Sequence, residues 1–335
     1  MSAVDLPATA RVDGETWTVS RAWPVASGPQ PVELRADGRV RGAWWSGGRI
    51  TADPAGVDPS LPGLADVTGD LVSHRPGKRA VVRADGGYLK VVRPRKAADV
   101  VAASAQAAAF GSVFAVPEHT PDHGAEARGV VRFSTVAGRT LHALGADPTT
   151  ADRDWDAAWR AWHTGWVRTV ANDPGDAPVH DAAAEARVAQ EWVAHAVRAL
   201  PGRAAALETG AAAVTRGLRR HPSPLLVLSH RDLHDKQLLW DGERIGVLDV
   251  DTVARAEPEL DLANLRVHVD LRLAQRHWSP ERADVAREWI DRTADAVGAD
   301  ATRLAAYAAA TRLRLGCLYL FRPQWRPLAL ELLPA

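Results

Sequence analysis

The stretch LSHRDLHDKQLLWDGERIGVLDVD, residues 228–251, decides the reading of this chain of 335 residues. A His-x-Asp loop (His230, Asp232) is followed by a side-chain amide at Gln237. An apolar run Leu238-Leu239-Trp240, an Asp-Gly-Glu turn and a second apolar run Ile245–Leu248 then lead to Asp249. The pattern predicts a loop entering a β-hairpin, with three polar groups delivered to one end of it. Phosphoryl transfer from a Mg²⁺–nucleotide needs an Asp that accepts a proton, and an amide oxygen and a carboxylate that ligate a hard cation. His-x-Asp alone is common. The spacing His-x-Asp-(x4)-amide-(x11)-Asp across a hairpin is the discriminating feature.

These residues resemble the aminoglycoside phosphotransferase and choline kinase superfamily, the kinase-fold small-molecule phosphotransferases. The family loop His-Gly-Asp-Leu-His-x-x-Asn stands here as His230-Arg231-Asp232-Leu233-His234-Asp235-Lys236-Gln237. The family's metal-binding Asp matches Asp249, and a further Asp before a helix matches Asp261 in ELDLANL. Arg231 replaces the usual Gly. Gln237 replaces Asn, as in bacterial maltokinases, and sets the amide oxygen one methylene further out. The resemblance is sharp over 225–265, moderate over 71–141 and faint elsewhere. It implies Asp232 as the group that accepts or orients the acceptor proton, Gln237 and Asp249 as Mg²⁺ ligands, and His230 and Asp261 as braces of the loop.

Length favours two lobes over one. Apolar content of 46% and charged content of 24% are those of an ordinary soluble globular protein. A net charge of zero, with no basic stripe, argues against nucleic acid. No apolar run reaches membrane-spanning length, and MSAVDLPATARVDGE lacks a signal-peptide core. The single Cys317 rules out an internal disulfide and fits a reducing compartment, so a cytoplasmic location is expected. Only four lysines occur among 41 basic residues, Lys78, Lys90, Lys96 and Lys236, all in segments assigned to nucleotide or catalytic regions.

Residues 11–62 alternate polar and apolar between turn signals, a small β-meander with Trp17, Trp23, Trp44 and Trp45 as apolar contacts. Three strand-like runs follow in 69–93, two of them joined across Asp85-Gly86-Gly87. A helix is predicted over 96–111, and a strand over Val130–Val136. Beyond about 148 the chain reads as helical. Helices are predicted to about Val170 with Thr150 or Asp152 as cap, over 181–219 with a break at Pro201-Gly202, and over 259–276, 280–296 and 300–321, with the hairpin 236–249 inserted. The expected fold is α+β and bilobal, protein-kinase-like: a β-rich cap over 1–62, a nucleotide-binding N-lobe over 63–135, and a helical C-lobe over 136–335 that carries the catalytic loop and acceptor site.

Lys90 alternates with Tyr88 and Val92 on one strand face, and an inward Lys needs an anionic partner, which α/β-phosphates provide. The family orients this Lys with a Glu on the next helix. That helix contains no Glu, leaving Gln106 as the expected occupant and Asp99 as runner-up. Ser73–Arg79 falls where a phosphate-covering loop is expected; it has one Gly, with Arg75, Lys78 and Arg79 offering charge instead. Phe133-Ser134-Thr135 would form the hinge against adenine. Asp251 either assists the metal or faces solvent, and His234 and Asp235 face either the acceptor or water. Trp155, Trp159, Trp162 and Trp166 share one helical face, a core seam or, alternatively, part of an acceptor pocket.

The sequence therefore predicts an ATP- and Mg²⁺-dependent phosphotransferase acting on a hydroxyl of a small molecule: a sugar, amino sugar, aminoglycoside-like antibiotic or related metabolite. A nucleotide-binding pseudokinase is the alternative, given the missing Glu and the Gln-for-Asn exchange. A metallohydrolase built on His230, Asp232, His234 and Asp235 fits less well, because it leaves Lys90 unexplained. Recurrent Arg266, Arg272, Arg312, Arg314 and Arg322 weigh against a polycationic acceptor.

Overall fold

The computed structural model describes residues 6–223 and 225–335, and residue 107 by its backbone alone. The first five residues, part of the stretch read as lacking a signal-peptide core, lie outside the described residues. Polar–apolar alternation builds the first sheet, an antiparallel meander in the order β1 (Thr9–Val12), β2 (Glu15–Ala22), β3 (Gln30–Ala36), β4 (Arg39–Ser46), β5 (Arg49–Thr51). Both residues of Asp13-Gly14, Asp37-Gly38 and Gly47-Gly48 have positive φ, the backbone that tight hairpin turns require.

The second sheet and its helices follow as β6 (Asp70–Arg75), β7 (Arg79–Ala84), β8 (Gly87–Val92), α1 (Ala97–Gly111), β9 (His119–Thr120), α2 (His123–Ala127) and β10 (Val130–Phe133). Its strand order is β6-β7-β8-β10-β9. Because side chains alternate along a strand, β8 buries Leu89 and Val91 against Leu61, Leu64, Ala80, Val82 and Val130, and turns Tyr88 and Lys90 to the opposite face. The strand expected to reach Val136 ends at Phe133, where Ser134 N–H bonds the Glu118 carbonyl and the chain leaves the sheet.

The remainder runs β11 (Arg139–Thr140), α3 (Leu141–Ala146), α4 (Asp152–Ala171), α5 (Ala182–Ala199), α6 (Ala204–Arg219), β12 (Val227–Ser229), β13 (Leu238–Trp240), β14 (Ile245–Val247), β15 (Ala254–Ala256), α7 (Glu259–Ala274), α8 (Pro280–Ala296), α9 (Ala301–Tyr319) and α10 (Arg326–Leu332). The chain is thus a mixed α/β structure, β-sheet in its N-terminal region and helical in its C-terminal part. The inserted hairpin pairs β13 with β14 and extends to β11. Pro201–Arg203 breaks α5 from α6, and Ser279 caps α8 through the Arg282 N–H. Neither Thr150 nor Asp152 caps α4, which starts at Asp152 after Ala151 with no side-chain cap.

The tryptophan face of α4 is core. Trp155, Trp159, Trp162 and Trp166 are at most 1% exposed and pack with Phe110, Phe114 and Trp278. At roughly 25 cal/mol per Å² and about 200 Å² each, they contribute on the order of 20 kcal/mol of gross burial before ordering entropy is set against it.

The first sheet is clamped on two sides. Trp17, Val19, Val32 and Leu34 share one core with Val193, Leu207, Leu313 and Cys317 of the helices, and the Ala22 N–H donates to the Phe321 carbonyl at 2.7 Å. On the other side Glu33, 1% exposed, accepts from Arg21 (2.9 Å), Arg35 (3.0 Å), Ser73 Oγ (3.2 Å) and the His74 N–H (3.0 Å). The meander ties the second sheet to the helical part.

Candidate active site

The loop 230–237 joins β12 to β13, and its backbone is fastened at several points. Asp261, in the first turn of α7, accepts the N–H groups of His230 (2.7 Å) and Arg231 (2.8 Å). Asn264, on the same face of α7, donates to the Leu233 carbonyl at 2.8 Å. Buried His230 bonds the Leu248 carbonyl through Nε2 at 2.8 Å, which fixes the proton on Nε2 and leaves Nδ1 to accept, 3.4 Å from the Asp232 N–H. Thr252 Oγ1 donates to the His230 carbonyl at 2.9 Å. Arg231 sits at φ 71°, a left-handed conformation that Gly adopts freely and other residues adopt at a cost of about 1 kcal/mol.

Asp232, its side chain 44% exposed, opens toward a cavity and lies 3.4 Å from Arg314 Nη1. Asn264 Oδ1 in turn receives Arg314 Nη2 at 2.6 Å. Gln237 carries a different signal. Its carbonyl accepts the Leu248 N–H at 2.9 Å, which sets it beside the strand end bearing Asp249, and its Oε1 is buried with no hydrogen-bond partner. A buried acceptor without a donor costs about 1–3 kcal/mol and fits a cation ligand. Asp249 itself is in the left-handed region, φ 55°.

A cavity of about 390 Å³ lies between the second sheet and the hairpin, lined on its polar side by Arg79, Lys90, Ser104, Asp249 and Asp251. Tyr88, Phe133, Val136 and Leu239 form apolar walls suited to a flat ring. Lys90 Nζ contacts Asp251 Oδ2 and stands 3.9 Å from Asp249 Oδ1. Desolvation lowers the Lys90 ammonium to about 8, against the pull of Asp249. Desolvation raises the Asp249 carboxyl, but the charges of Lys90 and Arg79 outweigh it and hold it below the ordinary range.

Lys90, Phe133 and Asp249 thus meet in one cavity. Four other expected nucleotide contacts do not line it. Gln106 is exposed on α1 and makes no bond to Lys90, whose partners are Asp251 and Asp249; Ser104 is the α1 residue that turns to the cavity. Arg75 lies over the Trp23 ring at 5.4 Å, and Lys78 is exposed at the β6–β7 turn. That turn is held by Asp58, in the segment between β5 and β6, which bonds His74 Nε2 (2.9 Å) and the Gly77 N–H (2.8 Å), and by the Gly42 N–H of β4, which donates to His74 Nδ1 at 3.1 Å, so it does not fold over the cavity. Thr135 is exposed where the chain leaves the sheet.

A second cavity of about 620 Å³ adjoins Asp232 and includes His234, Lys236, His268 and Arg272. Asp235 faces neither acceptor nor water. It is fully buried, forked by Arg272 (2.8 and 2.9 Å) and bonded to His142 Nδ1 at 2.7 Å, and the Arg272 charge holds its carboxyl far below the usual range. His234, Asp235 and His268 present donor atoms within 4.8 Å of one another, a set that suits a metal by composition. The Arg272 guanidinium already occupies both Asp235 oxygens and lies 3.4 Å from His268 Nδ1, so this group is served by an internal cation.

Sequence reasoning gave Asn264 and Arg21 no role, and weighed Arg272 and Arg314 only as part of the positive charge of the C-terminal part. Asn264 was detectable, three residues beyond Asp261 on one helical face; Arg21, which borders both cavities, carried no local signal.

No protein-family model matches the sequence, and no curated protein matches it significantly. Solved structures do match. Aminoglycoside phosphotransferase APH(3'')-Id from Streptomyces rimosus ATCC10970 is 21% identical at a TM-score of 0.53, over 73% of this chain and 92% of that one. An aminoglycoside-3'-phosphotransferase of type VIII is 20% identical at 0.52, over 74% and 95%. ADP-bound aminoglycoside phosphotransferase APH(2'')-Ib is 11% identical at 0.51, over 78% and 90%. At such identities the likeness is one of fold: this chain folds like these aminoglycoside phosphotransferases.

Proposed function

We propose that the protein is an ATP-dependent phosphotransferase of the bilobal kinase type that transfers the γ-phosphoryl group to a hydroxyl of a small molecule. The observation that carries this is the conjunction of a lysine–carboxylate pair, Lys90 with Asp251 and Asp249, and the orphaned Gln237 Oε1 beside Asp249, next to a separate cavity that holds Asp232. In this reading Lys90 keeps Asp251 as its orienting carboxylate and turns from Asp249 to the phosphates, and the walls of Tyr88 and Phe133 take the base. Gln237 and Asp249 would hold Mg²⁺, which supplies charge neutralisation on the phosphates.

The acceptor O–H bond breaks as its proton passes to Asp232, the oxygen–phosphorus bond forms, and the bond from the γ-phosphorus to its bridging oxygen breaks to release ADP. Asp261, Asn264 and His230 keep the loop rigid, so Asp232 does not reorganise during transfer.

The pseudokinase alternative rested on the missing Glu, which left a neutral partner for Lys90, and on the Gln-for-Asn exchange. Asp251, a carboxylate in contact with Lys90, answers the first of these and supports the active reading. The metallohydrolase alternative is disfavoured because His230 bonds a carbonyl and Asp235 bonds Arg272. ATP consumption measured over a panel of hydroxylated acceptors tests the proposal. Acceptor-stimulated ADP release that is lost in Asp232→Asn supports it, and ADP release indifferent to that change overturns it.

A further inference from the structure

The cavity that adjoins Asp232 has a charge problem that the transfer reaction does not explain. Six cations line it, Arg21, Arg35, Lys236, Arg272, Arg314 and Arg322, against two carboxylates, Glu33 and Asp232. Both carboxylates are engaged, Glu33 by Arg21 and Arg35 and Asp232 by Arg314, and Arg272 is paired with buried Asp235 behind it, which leaves Lys236 and Arg322 as the surplus. Lys236 and Arg322 have no carboxylate partner among the described residues, although Arg322 is held in place over the Tyr319 ring at 4.2 Å. Concentrating like charges without counter-charge is unfavourable unless a ligand supplies it.

Two further observations point the same way. His268 is 5% exposed, and its Nε2 has no partner. Because Arg272 can only donate toward His268 Nδ1, the proton sits on Nε2, a buried N–H without an acceptor on a residue that lines the cavity. Arg314 Nε is a second buried donor without an acceptor.

We infer that the acceptor is an alcohol carrying an anionic group, a phosphate monoester or a carboxylate, with Lys236, Arg322 and the His268 N–H receiving that group while the hydroxyl meets Asp232. The inference rests on the phosphotransferase reading and narrows it. A polycationic amine would meet only carboxylates that are already paired.

Matched acceptors test it: glycerol against glycerol 3-phosphate and glycerate, ribose against ribose 5-phosphate, glucose against gluconate, and glucosamine and kanamycin as amines. The anionic member of a pair should exceed its neutral partner by about 100-fold in kcat/KM, with phosphate and carboxylate arms separating the two chemistries. Arg322→Gln and Lys236→Gln should each raise KM for that acceptor by about 10-fold. If amines or neutral alcohols turn over as well as anionic ones, the inference fails while the phosphotransferase reading stands.

Should no panel member turn over, inorganic phosphate titrated calorimetrically into the ADP-loaded protein decides. Binding that weakens about 10-fold in Arg322→Gln supports the anionic site, and absent or unaltered binding overturns it. Failure of ATP and ADP to bind at all overturns the phosphotransferase reading and this inference with it.

Discussion

Asp261 accepts the Arg231 N–H at 2.8 Å and holds that residue at φ 71°, so the turn before Asp232 keeps a left-handed geometry without a glycine. The carboxylate spans two successive amides, since it also takes the His230 N–H at 2.7 Å. Asp261→Ala should therefore lower stability by about 2–4 kcal/mol, the cost of two buried amides left unpaired. Arg231→Gly should be neutral or stabilise by up to about 1 kcal/mol, as relief of strain outweighs the added freedom of the unfolded chain. Denaturant unfolding of both variants measures this, and an equal loss in both would contradict it.

Gln237 should show a trade of stability against function. Gln237→Met keeps the side-chain length and removes the partnerless buried oxygen. The ligand-free variant should gain about 1 kcal/mol of stability, while Mg²⁺–ATP affinity drops by about 10-fold. Thermal unfolding with and without Mg²⁺–ATP reads both effects. Unchanged affinity would remove Gln237 from the metal site.

The partner of Lys90 distinguishes Asp251 from Gln106. Gln106 is exposed on α1, so Gln106→Glu should leave ATP affinity within about 2-fold of the parent. Asp251→Asn removes the carboxylate in contact with Lys90 and should lower ATP turnover by about 10-fold. The reverse pattern would return the orienting role to α1.

The Lys90 ammonium, lowered by desolvation to about 8, gives a signed pH dependence. In the free protein Lys90 loses its proton above that pH, while phosphates restore the charge. ATP binding at pH 9 should therefore take up a proton, and affinity should fall by up to about 10-fold per pH unit above 8. Because folding lowers this pKa from its ordinary 10.5, the unfolded chain holds more protons across the window, and the Lys90 contribution to stability rises with pH from about 8 to 10.5. Calorimetry in buffers of different ionisation enthalpy detects the proton. Binding without uptake would mean Lys90 does not meet the phosphates.

Local chemistry explains what was legible in the sequence. Helix propensity, caps and breaks mark α1 and α4 through α9, alternation and turn signals mark the first sheet, and the Trp155 to Trp166 spacing marks a buried face. The loop motif points to Asp232, Gln237 and Asp249 because their spacing along the chain fixes their spacing across the hairpin, while Asp261, in α7, came from the resemblance. Contacts between distant segments carry no such period. Glu33 of β3 and Asp58 of the segment between β5 and β6 pin the end of β6 and the turn after it, which is why Arg75 and Lys78 turn away from the cavity they were expected to serve. The recurrent arginines divide for the same reason: Arg272, Arg314 and Arg322 converge on the Asp232 cavity, while Arg266 and Arg312 pair with Asp270.

Calorimetry of ATP binding with and without Mg²⁺, in the parent and in Asp249→Ala, tests the central claim most directly because it requires no knowledge of the acceptor. The account predicts binding strengthened by about 10-fold or more by Mg²⁺ in the parent, with that strengthening lost in Asp249→Ala. Absence of ATP binding, or binding indifferent to Mg²⁺ and to Asp249, would contradict it.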